Sequence, residues 1–135
     1  MASSLAHRWM ASAPKLLSVL RIVAGFLFFL AGTSKIFAFP VGMPGGLTAV
    51  FPSQVWIGGV LELVGGALLV LGLFTRPTAF VLSGEMAVAY FQFHAPSSFW
   101  PTVNNGVPAV LDCFIFLYLS AAGGGPWSLD ALRKR

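Results

Sequence analysis

Charge is scarce in this chain and cysteine is nearly absent. Charged residues make up 9% of the 135 positions, against about a quarter in an ordinary soluble domain, and only four of them are acidic. Cys113 is the single cysteine, which excludes an internal disulfide and a C-x-x-C pair for thiol exchange; a lone thiol in an apolar run reads as a small buried residue. Histidine occurs twice, at His7 and His94, far apart, so no metal or haem site is expected. No G-x-G-x-x-G or phosphate-cradling loop opens a helix. The net charge of +4 and pI near 9.9 come from cations scattered over termini and a turn, without the basic stripe of a nucleic-acid binder. Anionic lipid is the partner such a distribution suits.

What the chain does have is apolar length. Hydrophobic residues reach 57% and the mean hydropathy +0.85, the composition of a membrane domain, and the length allows one such domain. Four segments approach the roughly 20 apolar residues that cross a bilayer: 16–39, 55–74, 76–93 and 106–122. They predict an all-α, integral membrane four-helix bundle. Pro40 ends the first, Ser53 caps the second, Pro77 and Pro108 sit in first turns, and Gly123-Gly124-Gly125-Pro126 stops the fourth. Pro44-Gly45-Gly46 predicts a turn before a short helix over Leu47 to Phe51. The first apolar stretch exceeds a signal-peptide core and is interrupted by Arg21 and Lys35, so it is expected to be a retained span.

Lysine and arginine orient the spans. Arg8, Lys15, Arg76 and Arg133-Lys134-Arg135 fall on one side, while the loops from Pro40 to Gln54 and from His94 to Asn105 contain neither residue. The positive-inside rule then makes both termini cytoplasmic in a multi-pass protein of a bacterial inner membrane. Trp9 and Trp127 fall near the inner interface, and Trp56, Phe99 and Trp100 near the outer one, as an aromatic belt.

Five charged residues lie inside the apolar runs: Arg21, Lys35, Glu62, Glu85 and Asp112. A charge at the bilayer centre costs from about 2.5 to more than 10 kcal/mol, so such residues face a protein interior and mark its working part. Arg21, Gly25, Phe28, Gly32 and Lys35 recur at steps of four and three and share one face. Gly58, Gly59, Gly65, Gly66 and Gly72 repeat around Glu62 as a helix-packing stripe, and Thr78, Leu82, Glu85, Ala89 and Gln92 form a third row. By depth, Lys35, Glu62 and Asp112 meet in the outer half, with His94 near them, and Arg21 and Glu85 form a second pair deeper in. Two cations against three carboxyls leave one acid in excess, expected to be held neutral as a proton donor or acceptor. Structural pairing of the same charges is the alternative.

Arg21-x3-Gly25, Gly32-x2-Lys35, Glu62-x2-Gly65-Gly66, Gly72-Leu73-x2-Arg76, Met86-x2-Ala89, His94, Asn105-Gly106 and the tail Gly125-Pro126-Trp127-Ser128-Leu129-Asp130 follow one another in an order that resembles the DoxX family of small bacterial membrane proteins. The resemblance spans nearly the whole chain and implies a four-helix membrane fold associated with quinone-linked oxidation. Where many relatives place a glutamate directly after the Asn-Gly turn, this chain has Val107-Pro108, and an acid follows only at Asp112. Five residues on, that carboxylate is turned by about 140° around the helix, so the glutamate's role does not carry over to it.

Three functional classes follow. In the first, a redox membrane protein binds a quinone head or similar carbonyl compound: Lys35 polarises the carbonyl, Glu62 and then Asp112 carry protons, and His94 with Arg21 and Glu85 completes the binding groups. The second is an accessory subunit of a larger respiratory or redox complex, or a homo-oligomer, since no self-sufficient catalytic constellation is encoded. The third is a carrier for a small solute or protons, which the lack of an internal repeat disfavours.

Overall fold

A computed structural model describes residues 3–134. All regular structure among them is helical: α1 (Ser4–Ala11), α2 (Ala13–Phe37), α3 (Gln54–Leu71), α4 (Thr75–Ala89) continued by a π-helical turn (Tyr90–His94), α5 (Pro101–Asn104), α6 (Val107–Ala122) and α7 (Leu129–Arg133). Helices α2 and α3 are long and apolar enough to cross a membrane, and α6 is a shorter apolar helix of 16 residues.

The boundaries have local causes. Ser3 and Ser53 accept N–H groups of the first turns of α1 and α3, from Ala6 at 3.1 Å and Trp56 at 3.2 Å. Pro14 sits in the first turn of α2, and α2 stops at Ala38, which turns left-handed (φ 54°), before Pro40 is reached. Gly72 (φ 70°) closes α3, and Phe74 (φ 52°) leads into α4. The open amides at the start of α4 are satisfied from a distance in sequence: Phe74 and Thr75 N–H groups each donate to the Asp130 carboxylate at 2.9 Å. Burial acts to push this carboxyl up, but those amides and the nearby Arg133 outweigh it and hold Asp130 below the usual aspartate range. The segment from Leu47 to Phe51 is not the expected short helix. Met43 and Leu47 instead form an isolated antiparallel bridge around the Pro44-Gly45-Gly46 turn, and the chain then runs on irregularly to a single turn in which Ser53 N–H donates to the Val50 carbonyl at 2.7 Å.

Two antiparallel pairs build the body. Helices α2 and α3 approach backbone to backbone, as small residues allow in membrane helices. A Cβ on Gly66 would lie 2.5 Å from Phe29 N, and one on Gly32 would lie 2.5 Å from Leu63 N. Helix α4 packs on α6 through Ala79, Leu82, Met86, Phe116 and Leu119, and Ser83 donates to the Cys113 carbonyl at 2.7 Å. Leu82 reaches over Gly65 to join α4 to α3. Phe28 meets Phe116 edge to face, with centroids 4.8 Å apart, and ties α2 to α6. The outward faces stay apolar, as Val23, Phe26, Val64, Phe80 and Phe114 show with roughly half or more of their surface exposed. A contiguous apolar exterior of that extent is foreign to a water-soluble monomer.

Candidate functional site

Towards the end of the body that carries the two longer loops, a cavity of about 650 Å³ opens between the helices. Each of its ionisable groups arrives from a different element: Lys35 from α2, Glu62 from α3, Glu85 from α4, His94 from the π turn and Asp112 from α6. Most of the remaining wall is apolar, including Phe28, Met86 and Phe93.

Lys35 and Glu62 form the centre. Lys35 Nζ donates to Glu62 Oε1 at 2.5 Å, and the glutamate side chain is 3% exposed against 30% for the lysine. The lysine therefore faces the cavity with its spare N–H groups, and the carboxylate serves as its buried counter-ion. Gly58, one turn before Glu62, leaves the space into which Glu85 projects: a Cβ there would stand 3.1 Å from Glu85 Oε2 and 3.5 Å from Glu62 Oε2. The two carboxyl groups thus converge above a glycine. The other oxygen, Glu85 Oε1, is buried and has no hydrogen-bond partner among the described residues. A buried polar atom without a partner is costly, and Glu85 is among the residues that line the cavity.

The His94 ring is held by the backbone of α5. Its Nδ1 lies 2.9 Å from the Asn104 carbonyl, which only accepts, so Nδ1 is the donor and Nε2 is the ring nitrogen left for another partner. The π turn that carries His94 shifts the ladder by one residue at the end of α4, a distortion frequent at functional sites. Asn104 in turn donates to the Ser98 carbonyl at 2.6 Å and accepts from Gly106 N at 2.7 Å. Tyr90 donates to the Phe99 carbonyl and holds the same loop. Gln54 and Gln92 pair their side-chain amides across α3 and the π turn beside the cavity. Sequence reasoning passed over Tyr90, Gln54 and Asn104. Asn104 precedes the conspicuous Asn105-Gly106 pair, but neither Tyr90 nor Gln54 carries a local signal.

The expected Arg21–Glu85 pair does not form. Arg21 is 1% exposed at the opposite end of the body, where Nε donates to the Leu69 carbonyl at 2.7 Å, Nη2 to the Trp127 carbonyl at 2.7 Å, and Nη1 to the Gly124 carbonyl. These acceptors lie at the C-terminal ends of α3 and α6 and just beyond, where the helix dipoles favour a cation. Ser18 completes the arrangement, donating to the Gly124 carbonyl at 3.0 Å and accepting from Trp127 N at 3.1 Å. Arg21 therefore clamps the tail to the base of the body, and it is not among the residues that line the cavity. Glu85 belongs with Glu62 instead.

The DoxX family profile matches residues 16–95, more than half the chain. The chain belongs to the DoxX family. The matched segment runs from α2 through the π turn, so it takes in Lys35, Glu62, Glu85 and His94, while Asp112 lies beyond it. A DoxX chain of this length also resembles an uncharacterized protein of Haemophilus influenzae, 46% identical over 120 residues, covering 87% of this chain and 90% of the relative. No solved structure matches this DoxX protein.

Proposed function

We propose that this DoxX protein crosses the bacterial inner membrane four times, both termini cytoplasmic, and binds a quinone-like carbonyl compound in the cavity at its outer half as part of a membrane redox assembly. The observation that carries this reading is the cavity: one lysine, three carboxyl groups and a histidine from five elements face a space otherwise walled by apolar side chains. Membrane helices admit such groups only for a purpose. The orientation is supported by Arg8, Lys15, Arg76, Arg133 and Lys134, all at the end opposite the cavity's loops, and by the exposed Trp9 and Trp127 there against Phe99 and Trp100 at the loop end.

The groups suit a carbonyl ligand. Reduction of a quinone takes two electrons and two protons and places negative charge on the carbonyl oxygens. Lys35 directs N–H groups at such an oxygen while Glu62 balances its charge. The facing Glu62 and Glu85 carboxyls pass a proton, and His94 Nε2 and Asp112 renew it from the loop side. Electrons come from a partner protein or a separately supplied cofactor: among the described residues Cys113 packs against Ser83 and the two histidines lie at opposite ends, so no ligand set for a redox metal is assembled there. In that respect the protein is a subunit as well as a binding site.

The test is quinone binding in nanodiscs, the parent against Glu62→Gln, at several pH values. Saturable binding with a pH dependence that Glu62→Gln removes is the expected result. Absence of binding to the parent would leave the accessory-subunit role in its place.

A further inference from the structure

The cavity is longer than its polar end requires. Along α2 its lining runs from Lys35 to Ala24, about 16 Å of helix axis, and only the Lys35 end is polar. A single carbonyl-bearing ring held at Lys35, Glu62 and Glu85 leaves the length past Ala31, Leu27 and Ala24 unfilled.

That length coincides with a seam. Gly25 and Gly32 face α3, and Ala24 and Ala31, each one residue earlier, are rotated by about 100° from them onto the flank towards α6. Across from Ala31 on α6 stand Pro108 and Asp112, both lining the same cavity, while Ala24 lines it one turn beyond Phe28. Helices α2 and α6 do not pack along their length; among the described residues their one aromatic contact is Phe28 on Phe116, level with the lower part of the cavity. Above that contact Ala31 is the small side chain of α2 between cavity and exterior, and just below it Leu27, at the rim, is 61% exposed. The opening therefore faces the lateral surroundings of α2 and α6, which in a membrane are acyl chains.

We infer that the seam between α2 and α6 is a lateral portal, and that the ligand is a two-part amphiphile with its carbonyl head at Lys35, Glu62 and Glu85 and a hydrocarbon tail lying past Ala31 and Ala24 into the lipid. The inference rests on the proposed quinone-like head and adds the tail, the route and the residues that select for them. Ala24 and Ala31 are specificity-determining: a methyl group leaves the channel open, and a large side chain closes it. Their methyl groups make no hydrogen bond to Lys35 or Glu62; Ala31 lies one turn from Lys35, and Ala24 lies about three turns away, so closing the channel at Ala24 leaves the head site as it is.

Two probes in nanodiscs decide it: a benzoquinone ring without a chain, and the same ring carrying a decyl chain. The proteins are the parent, Ala24→Phe, Ala31→Leu, and Val23→Phe as a control on the exposed outer face of α2. Membrane partitioning of the decyl compound is common to all four, so only differences between proteins are read. The portal predicts that Ala24→Phe and Ala31→Leu weaken the decyl quinone about tenfold or more while the bare ring binds them as it binds the parent, and that Val23→Phe weakens neither. Equal binding of the decyl compound by the parent and both seam variants overturns the portal. Failure of the parent to bind either probe overturns the head site instead. A seam variant whose thermal midpoint falls is read through the ring alone: retained ring binding shows a folded site, and its decyl affinity still counts.

Discussion

A lysine 30% exposed beside a glutamate 3% exposed is an unequal pair, and the inequality fixes what each partner contributes. Glu62 has been taken out of water and depends on the ammonium, while Lys35 retains the cavity as a second environment. Replacing Lys35 by Met strands the carboxylate. The expected cost is about 1–3 kcal/mol, near the penalty for a buried polar group deprived of its partner and below that of a fully buried ion pair. Arg133→Met should cost less, because Arg133 is exposed and its guanidinium rests on the Phe74 ring at 4.9 Å. Thermal unfolding in detergent compares the two, and removing both charges, with Lys35→Met and Glu62→Leu together, should recover much of the loss. A Lys35→Met protein as stable as the parent would remove the pair from any account of this interior. Arg21 shows how different a buried cation can be. Its partners are three carbonyls, and carbonyls belong to every residue, so no pattern of side chains could announce them; the acids within reach by depth pointed to Glu85 instead. The glycines of the tail were the available hint, since Gly124, with Gly72 at the end of α3, leaves room for the guanidinium.

At the scale of helices, legibility depended on periodicity. Gly58, Gly59, Gly65 and Gly66 repeat at helical spacing around Glu62, and Gly25 and Gly32 do so between Arg21 and Lys35, so the packing faces of α2 and α3 could be read from the sequence, and depth along the helices brought Lys35 to Glu62 or Asp112. The π turn could not, because one extra residue in a hydrogen-bond ladder leaves no compositional trace, and it is this turn that carries His94. The stretch from Leu47 to Phe51 misled for a related reason: a short apolar run after a glycine turn fits helix and extended chain alike. The glycines themselves are not equivalent, and the difference is measurable. Gly66→Ala places a methyl 2.5 Å from the Phe29 backbone and must push α2 from α3, while Gly84 has nothing within 4 Å of its Cβ position. Gly66→Ala should therefore destabilise by about 1–3 kcal/mol, and Gly84→Ala should be neutral or stabilise by up to about 1 kcal/mol through helix propensity. The two melting points in one detergent give the answer, and a Gly66→Ala protein as stable as Gly84→Ala would mean that α2 and α3 do not approach at this point.

For the whole molecule the decisive question is which way it lies in the membrane, since the same cavity facing the periplasm or the cytoplasm would exchange protons with different compartments. The two ends differ chemically: Arg8, Lys15, Arg76, Arg133 and Lys134 gather at one, and the loops around Leu47 and Ser97 at the other contain no lysine or arginine. Moving a basic loop across the membrane is what the positive-inside rule forbids, so the lysine-free loops are expected outside. Both loops offer a reporter position, as Leu47 and Ser97 are exposed. The native thiol has to be removed first; Cys113→Ser does so at a half-buried position on α6. Single cysteines at Leu47 and at Ser97 in that background should then react in intact spheroplasts with a maleimide that cannot cross the membrane, and a cysteine at the exposed Arg8 should react only after lysis. The reverse pattern would turn the protein over and put Lys35 and Glu62 within reach of cytoplasmic protons. Labelling at Leu47 but not at Ser97 would break the four-span arrangement, because both loops leave the same end of the body.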